Sequence, residues 1–139
     1  HKMKDRSQNL LGLRPANPSA RRSKDMWSDE RFQNYTLRPI IKLQNPLFLS
    51  VFANYVAKYK NSFHTLTIEK RMAFVENAIH RDIKFRNSLK GMVIGQFTVE
   101  EYEIYIQNSS ALNKRMMNIV IERLKDQIQF FEQGELVLS

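Results

Sequence analysis

The feature that most constrains this chain is the spacing of its apolar residues. Met117, Val120, Ile121, Leu124, Ile128 and Phe131 recur at intervals of three and four, the period that places side chains along one side of an α-helix. Phe48, Val51, Phe52, Tyr55, Val56 and Tyr59 repeat the pattern, as do Ile68, Met72, Val75, Ile79 and Ile83. A second stripe, Phe74, Ala78, Phe85, Leu89 and Met92, lies beside the Ile68 stripe and widens its apolar face, so this helix packs on more than one side. No segment sustains period-two alternation, and 4 Gly and 4 Pro among 139 residues leave little material for tight turns. The expectation is an all-α fold: a compact bundle of about four to five helices with an extended basic N-terminal arm.

Capping residues mark the helix boundaries. Ser28-Asp29-Glu30-Arg31 reads as a start, with a capping hydroxyl and acids near the positive end of the dipole. That helix is expected to end before Pro39, since a residue preceding proline avoids helical angles. Asn45-Pro46 predicts the next start, Asn as N-cap and Pro at the first helical position, running to about Lys60. Thr67 opens the longest helix, which ends between Gly91 and Gly95. Thr98-Val99-Glu100-Glu101 matches a capping box opening a short helix to about Gln107. Asn108-Ser109-Ser110 then precedes a final helix that stops near Gly134.

Charge divides the chain unevenly. Residues 1–27 carry Lys2, Lys4, Arg6, Arg14, Arg21, Arg22 and Lys24 against Asp5 and Asp25, a net of +5 out of the total of +8. The same segment holds Pro15, Asn17, Pro18, Ser19 and Ser23, which cannot build an apolar face. The expected organisation is an irregular arm over 1–27 and a helical bundle domain over 28–139. Residues 1–11 contain no apolar stretch long enough for a secretory leader. The densest apolar stretch, residues 47–57, is too short to span a membrane. A cytoplasmic protein without a membrane partner is expected.

Few residues suggest chemistry. The absence of Cys removes thiolate nucleophiles, thiolate metal sites and disulfides together. Glu76 and His80 share one side of the long helix, but at a spacing of four and without the second copy that a carboxylate-bridged metal pair requires. A solvated helical pair accounts for them. His64 stands in a loop with no nucleophile elbow or phosphate loop beside it. No catalytic residue, metal ligand or cofactor is assigned. Tyr102, Tyr105, Phe97 and Phe130 could stack bases, although their helical spacing equally suits a core. Gly91 and Gly95 suit a close backbone approach or the turn out of the helix.

One group breaks the apolar pattern. In a straight long helix Arg86 and Lys90 continue the Ile68–Ile79–Ile83 face, with Asp82 at its edge. These residues form either a structural i, i+4 pair with a snorkelling lysine or, as a lesser functional alternative that leaves catalysis open, an anion-binding pocket or enzyme site around Asp82, Arg86 and Lys90.

The stretch from Phe85 to Ile128, FRNSLKGMVIGQFTVEEYEIYIQNSSALNKRMMNIVIERLKDQI, resembles a small uncharacterised family of bacterial helical proteins. The likeness extends back to about Asn34. Some members carry the label "glyoxalase". Glyoxalases of the vicinal-oxygen-chelate type set His and Glu metal ligands on strands of paired βαβββ modules. This sequence predicts no strands and has no such ligand set, so the resemblance implies a helical fold and the label says nothing about activity.

The functional expectation is a non-catalytic binding module whose basic arm docks on an acidic surface, nucleic acid or a ribonucleoprotein being the best match. Lys2, Lys4, Arg6, Arg14, Arg21, Arg22 and Lys24 would make the contacts. About five phosphate contacts give a log–log salt slope near −4 to −5. The alternative is a protein–protein adaptor or homodimer, suggested by Leu112, Met116, Ile119 and Phe130 lying beside the main stripe of the last helix.

Overall fold

A computed structural model describes residues 2–15, 28–58 and 62–128, and every described regular element is helical. α1 spans Lys2–Leu13, α2 Asp29–Phe32, α3 Arg38–Ala57, α4 Ile68–Arg81, α5 Ile83–Ile94, α6 Val99–Tyr105 and α7 Ser109–Gln127. A π-helical stretch, Gln33–Leu37, joins α2 to α3 without a break, and Ser62–Thr65 form a 3₁₀ turn before α4. The all-α expectation holds.

The two prolines act differently from expectation. The helix opened by Ser28 does not end before Pro39, and Asn45-Pro46 is not a start: Pro39 and Pro46 both lie inside α3. A proline ring crowds the carbonyl four residues earlier. Immediately before Pro39 the backbone is already wound to the wider π pitch, with the Arg38 amide donating to the Gln33 carbonyl. That widening gives the Pro39 ring its room. Asn45 uses its side chain elsewhere, in a reciprocal amide pair with Gln127 at 2.8 and 2.9 Å.

The long helix is also interrupted. Asp82 has extended angles, φ −87° and ψ 96°, and separates α4 from α5. The sequence reading of an irregular segment over 1–27 is corrected for residues 2–13, which form α1. The helix breakers lie at 15–23, whereas Lys2–Leu13 consists mostly of residues that tolerate a helix well. Arg14 precedes Pro15, and α1 stops there.

The chain packs as two units, the first 1–44 with 90–119 and the second 45–89 with 120–139. In the first, Leu37, Ile40, Ile41, Val93 and Met116 are fully buried. Phe97 meets Phe32 and Tyr105 edge-on, each at 5.5 Å between centroids. Arg115 donates to Gln33 at 2.9 Å, and Asn108 donates to the Asp29 carboxylate. The Ser28 hydroxyl accepts the Arg31 amide at 3.1 Å, capping α2 as expected.

The second unit is built on aromatic contacts. Phe63, fully buried, meets Phe52 at 5.8 Å and Phe74 at 5.4 Å. Tyr55 stacks on Phe85 at 4.0 Å with 22° between the ring planes. Val75, Ile79 and Leu89 bury the α4 and α5 stripes, and Val120, Ile121, Leu124 and Ile128 bury that of α7. The Thr67 hydroxyl caps α4 through the Lys70 amide.

Replacing Phe63 with Ala should leave a cavity among these rings and lower stability by about 3–5 kcal/mol, read as a lower midpoint of urea unfolding with native helical content retained.

Candidate functional site

The cations of the N-terminal segment do not form one set. α1 brings Arg6 and Arg14 to the turn between α5 and α6. Arg6 donates to the carbonyls of Phe97 at 2.7 Å and Gly95 at 3.0 Å. Arg14 donates to the Gln96 carbonyl at 2.8 Å and grips Glu101 through both carboxylate oxygens at 2.7 Å. Three successive carbonyls at the negative end of α5 thus meet two guanidinium groups. Gly95 suits this turn, since a Cβ there would stand 3.0 Å from the Gly91 carbonyl oxygen and would have to push it aside.

Glu101 is the centre of this arrangement. It completes the expected capping box: its Oε1 accepts the Thr98 amide at 2.8 Å, and the Thr98 hydroxyl accepts the Glu101 amide at 3.1 Å. The Thr36 hydroxyl donates to Oε2 at 2.8 Å. Burial pushes the Glu101 carboxyl upward, but the Arg14 and Thr98 hydrogen bonds, the Arg14 charge and the Thr36 hydroxyl outweigh it and hold the group below its usual pKa. The Arg14 side chain is only 6% exposed. Arg6, which stays exposed, and Arg14 thus both bond within the fold, a role that their expected contact with an acidic partner did not include. Lys2 and Lys4 lie on α1, and Arg21, Arg22 and Lys24 lie outside the described residues.

Asp82, Arg86 and Lys90 follow one another at intervals of four from the start of α5. The Asp82 carboxylate caps α5, accepting the Phe85 amide at 3.1 Å and the Tyr55 hydroxyl at 2.9 Å. The Phe85 amide first, then the Tyr55 hydroxyl, hold its pKa below the usual value, with Lys58 adding an opposite charge. Arg86 lies one turn into α5 with its Nε buried. Lys90, a further turn along, belongs to the other packed unit. The break at Asp82 parts the three residues from the Ile68–Ile79 face of α4, which they were expected to continue.

A cleft of ≈ 600 Å³ opens beside this break. Tyr55 comes from α3, Phe74, Asn77, Ala78 and Arg81 from α4, and Ile83 and Lys84 from α5, with Asp82 between the two helices. Sequence reasoning missed Arg81 and Lys84. Their signal was Asp82 read as an N-cap, which would have placed basic residues on both sides of a helix junction.

The remaining candidates divide between packing and the surface. Phe97 and Tyr105 are buried, whereas Tyr102 is 46% exposed. Burial raises the Tyr105 pKa, although its hydroxyl donates to Asn113 at 2.7 Å. Phe130 lies outside the described residues. Glu76 pairs with Lys125 at 2.7 Å and His80 is exposed. His64 offers its carbonyl to Arg71 at 2.9 Å. Among the described residues no three His, Asp or Glu side chains gather as a metal site, and no helix is long and apolar enough to cross a membrane. Comparison with protein-family models, curated proteins and solved structures found no significant match to any of them.

Glu101 generates a pH dependence. A carboxyl whose pKa is lower in the folded state contributes stability above its unfolded value, and that contribution disappears as pH falls through the folded value. Stability should therefore decline below about pH 4.5, the ordinary value for Glu. Glu101→Gln should flatten that decline in urea titrations at successive pH values. Arg14→Met, which leaves the carboxylate without its cation, should cost about 3–5 kcal/mol at pH 7.

Proposed function

We propose that this chain is a non-catalytic, cytoplasmic helical binding module whose basic N-terminal segment docks on an acidic surface, best matched by nucleic acid or a ribonucleoprotein. The observation that carries this reading is the separation of charge. Seven basic side chains stand against two acids in residues 1–27, while the other 112 residues hold fifteen against twelve. A charge concentrated in one segment attracts polyanions more strongly than the same charge spread over a surface.

The anchoring of α1 narrows the docking set. With Arg6 and Arg14 bonded to the α5–α6 turn, the contacts fall to Lys2, Lys4, Arg21, Arg22 and Lys24. Five phosphate contacts correspond to a salt slope of about −4.5 on duplex DNA, within the range expected from sequence.

A protein–protein adaptor or homodimer is the second reading. Leu112 and Met116, which suggested it, are buried within the chain. What favours it instead is Tyr102 and Ile106, 46% and 54% exposed and one turn apart. Light scattering at high concentration would show a doubled mass if the chain dimerises.

The leading reading is tested by substitution. Removing residues 1–27 would also remove the Arg14 anchor of Glu101. The triple variant Arg21→Gln, Arg22→Gln, Lys24→Gln leaves that anchor intact. Its affinity for RNA and DNA should fall, and its salt slope should drop to about −1.8, measured by anisotropy at several salt concentrations. Unchanged affinity, or no binding by the parent chain, rejects the reading.

A further inference from the structure

The near balance of charge outside residues 1–27 conceals a local excess in the first packed unit. No acid occurs between Glu30 and Glu69, nor in α7 before Glu122. The cations of these two stretches that belong to the first unit are Arg31, Arg38, Lys42, Lys114 and Arg115. Three of them gather on the π stretch. Gln33, Asn34 and Tyr35 are consecutive, and each meets a different guanidinium. Arg115 donates to Gln33 at 2.9 Å, Arg38 donates to Asn34 at 3.3 Å, and Arg31 lies over the Tyr35 ring at 4.0 Å.

These contacts hold the side chains without neutralising them. Arg115 and Arg38 donate to side-chain amides, which carry no charge. Among the described residues neither arginine, nor Lys42 one turn beyond Arg38, is paired with a carboxylate. Arg38 and Lys42 are exposed. Like charges one turn apart on a helix repel each other, a cost that a bound anion removes. The nearest acids in the chain, Asp29 and Glu30, precede Arg31, and the Asp29 carboxylate accepts the Asn108 amide.

The same surface lacks what other partners require. Among the described residues no exposed large apolar side chain lies on α2, the π stretch, α3 before Leu47, or α7. Protein interfaces centre on aromatic or aliphatic anchors. Single strands stack on open rings, and the Tyr35 ring already carries Arg31. Arg31 to Lys42 covers roughly 15 Å of helix axis, a length over which a duplex carries about nine phosphates.

We propose, resting on the nucleic-acid reading of residues 1–27, that this side of the first unit binds the phosphate backbone of a DNA duplex through Arg38, Lys42 and Arg115. Lys24 stands seven residues before Arg31, at most about 25 Å of chain, so one duplex reaches both the docking segment and this face.

The probe is a short DNA duplex, titrated into the full chain by anisotropy at several salt concentrations, with backbone amide shifts to locate it. Three contacts steepen the salt slope by about 2.7. The Arg21/Arg22/Lys24 triple variant, which falls to about −1.8 if the segment acts alone, should therefore retain about −4.5. The double variant Arg38→Gln, Lys42→Gln changes only exposed side chains, so its urea midpoint should match that of the parent. It should bind about tenfold more weakly, with a slope shallower by about 1.8. Amide shifts should centre on residues 33–42 and Arg115. A slope near −1.8 for the triple variant, with the double variant binding as the parent does, overturns the proposal and leaves the docking segment as the site. A weakened double variant beside an unaltered triple variant rejects the segment and upholds this face. Equal affinity for the separated single strand, or equal displacement of the duplex by poly-glutamate, overturns the assignment to a duplex.

Discussion

A carboxylate removed from water must be given back its hydrogen bonds, and the first packed unit is arranged around that requirement at Glu101. A buried ion without partners costs several kcal/mol. Here the carboxylate accepts from two guanidinium nitrogens, a backbone amide and a hydroxyl, all within 2.8 Å. Those donors come from α1, the π stretch between α2 and α3, and the start of α6. One side chain therefore ties three parts of the sequence together and caps a helix as well. α1 could not leave without exposing three carbonyls at the end of α5 to solvent and leaving a half-buried charge behind.

Asp82 solves a similar problem in the second unit on a smaller scale. It lies nearer the surface and needs fewer partners, an amide and a phenol. By capping α5 it ends α4, and that break determines which cations stand together. Arg86 and Lys90 follow the new helix, while Arg81 and Lys84 flank the junction. A residue whose charge invites a salt-bridge reading thus acts here through backbone geometry.

The sequence was most legible where side chain and backbone meet locally. Ser28, Thr67 and the Thr98–Glu101 box are caps recognisable from three or four adjacent residues, and each occurs as read. The apolar stripes were legible within each helix for the same reason, because periodicity depends only on the pitch of the helix, but Ile68 and Ile83, read as the ends of one stripe, are exposed. The failures share the opposite property. Pro39 and Pro46 stay inside a helix because of a π widening and because packing outweighs propensity, neither of which a local pattern records. Asp82 lay within an apolar periodicity that ran on past it, so its capping of the Phe85 amide was not read, and the Tyr55 hydroxyl that also binds it lies 27 residues away. Arg14 read as a free cation because its partner lies 87 residues away. The expectation that Arg86 and Lys90 continue the Ile68–Ile79 face failed for a geometric reason, the assumption of a straight helix.

The anchoring of Arg14 also changes what its charge can do. Arg14 donates three hydrogen bonds inside the fold, and its side chain is only 6% exposed. Two of those bonds go to the Glu101 carboxylate, so cation and anion together present little net charge to the surroundings. Arg6 is in a different position. Its partners are two neutral carbonyls, and the residue stays exposed. Its charge is therefore not compensated by the bonds it makes. Both arginines satisfy carbonyls at the negative end of α5, but only one of them loses its field in doing so. A charge count from composition treats the two alike; burial and the nature of the acceptor separate them.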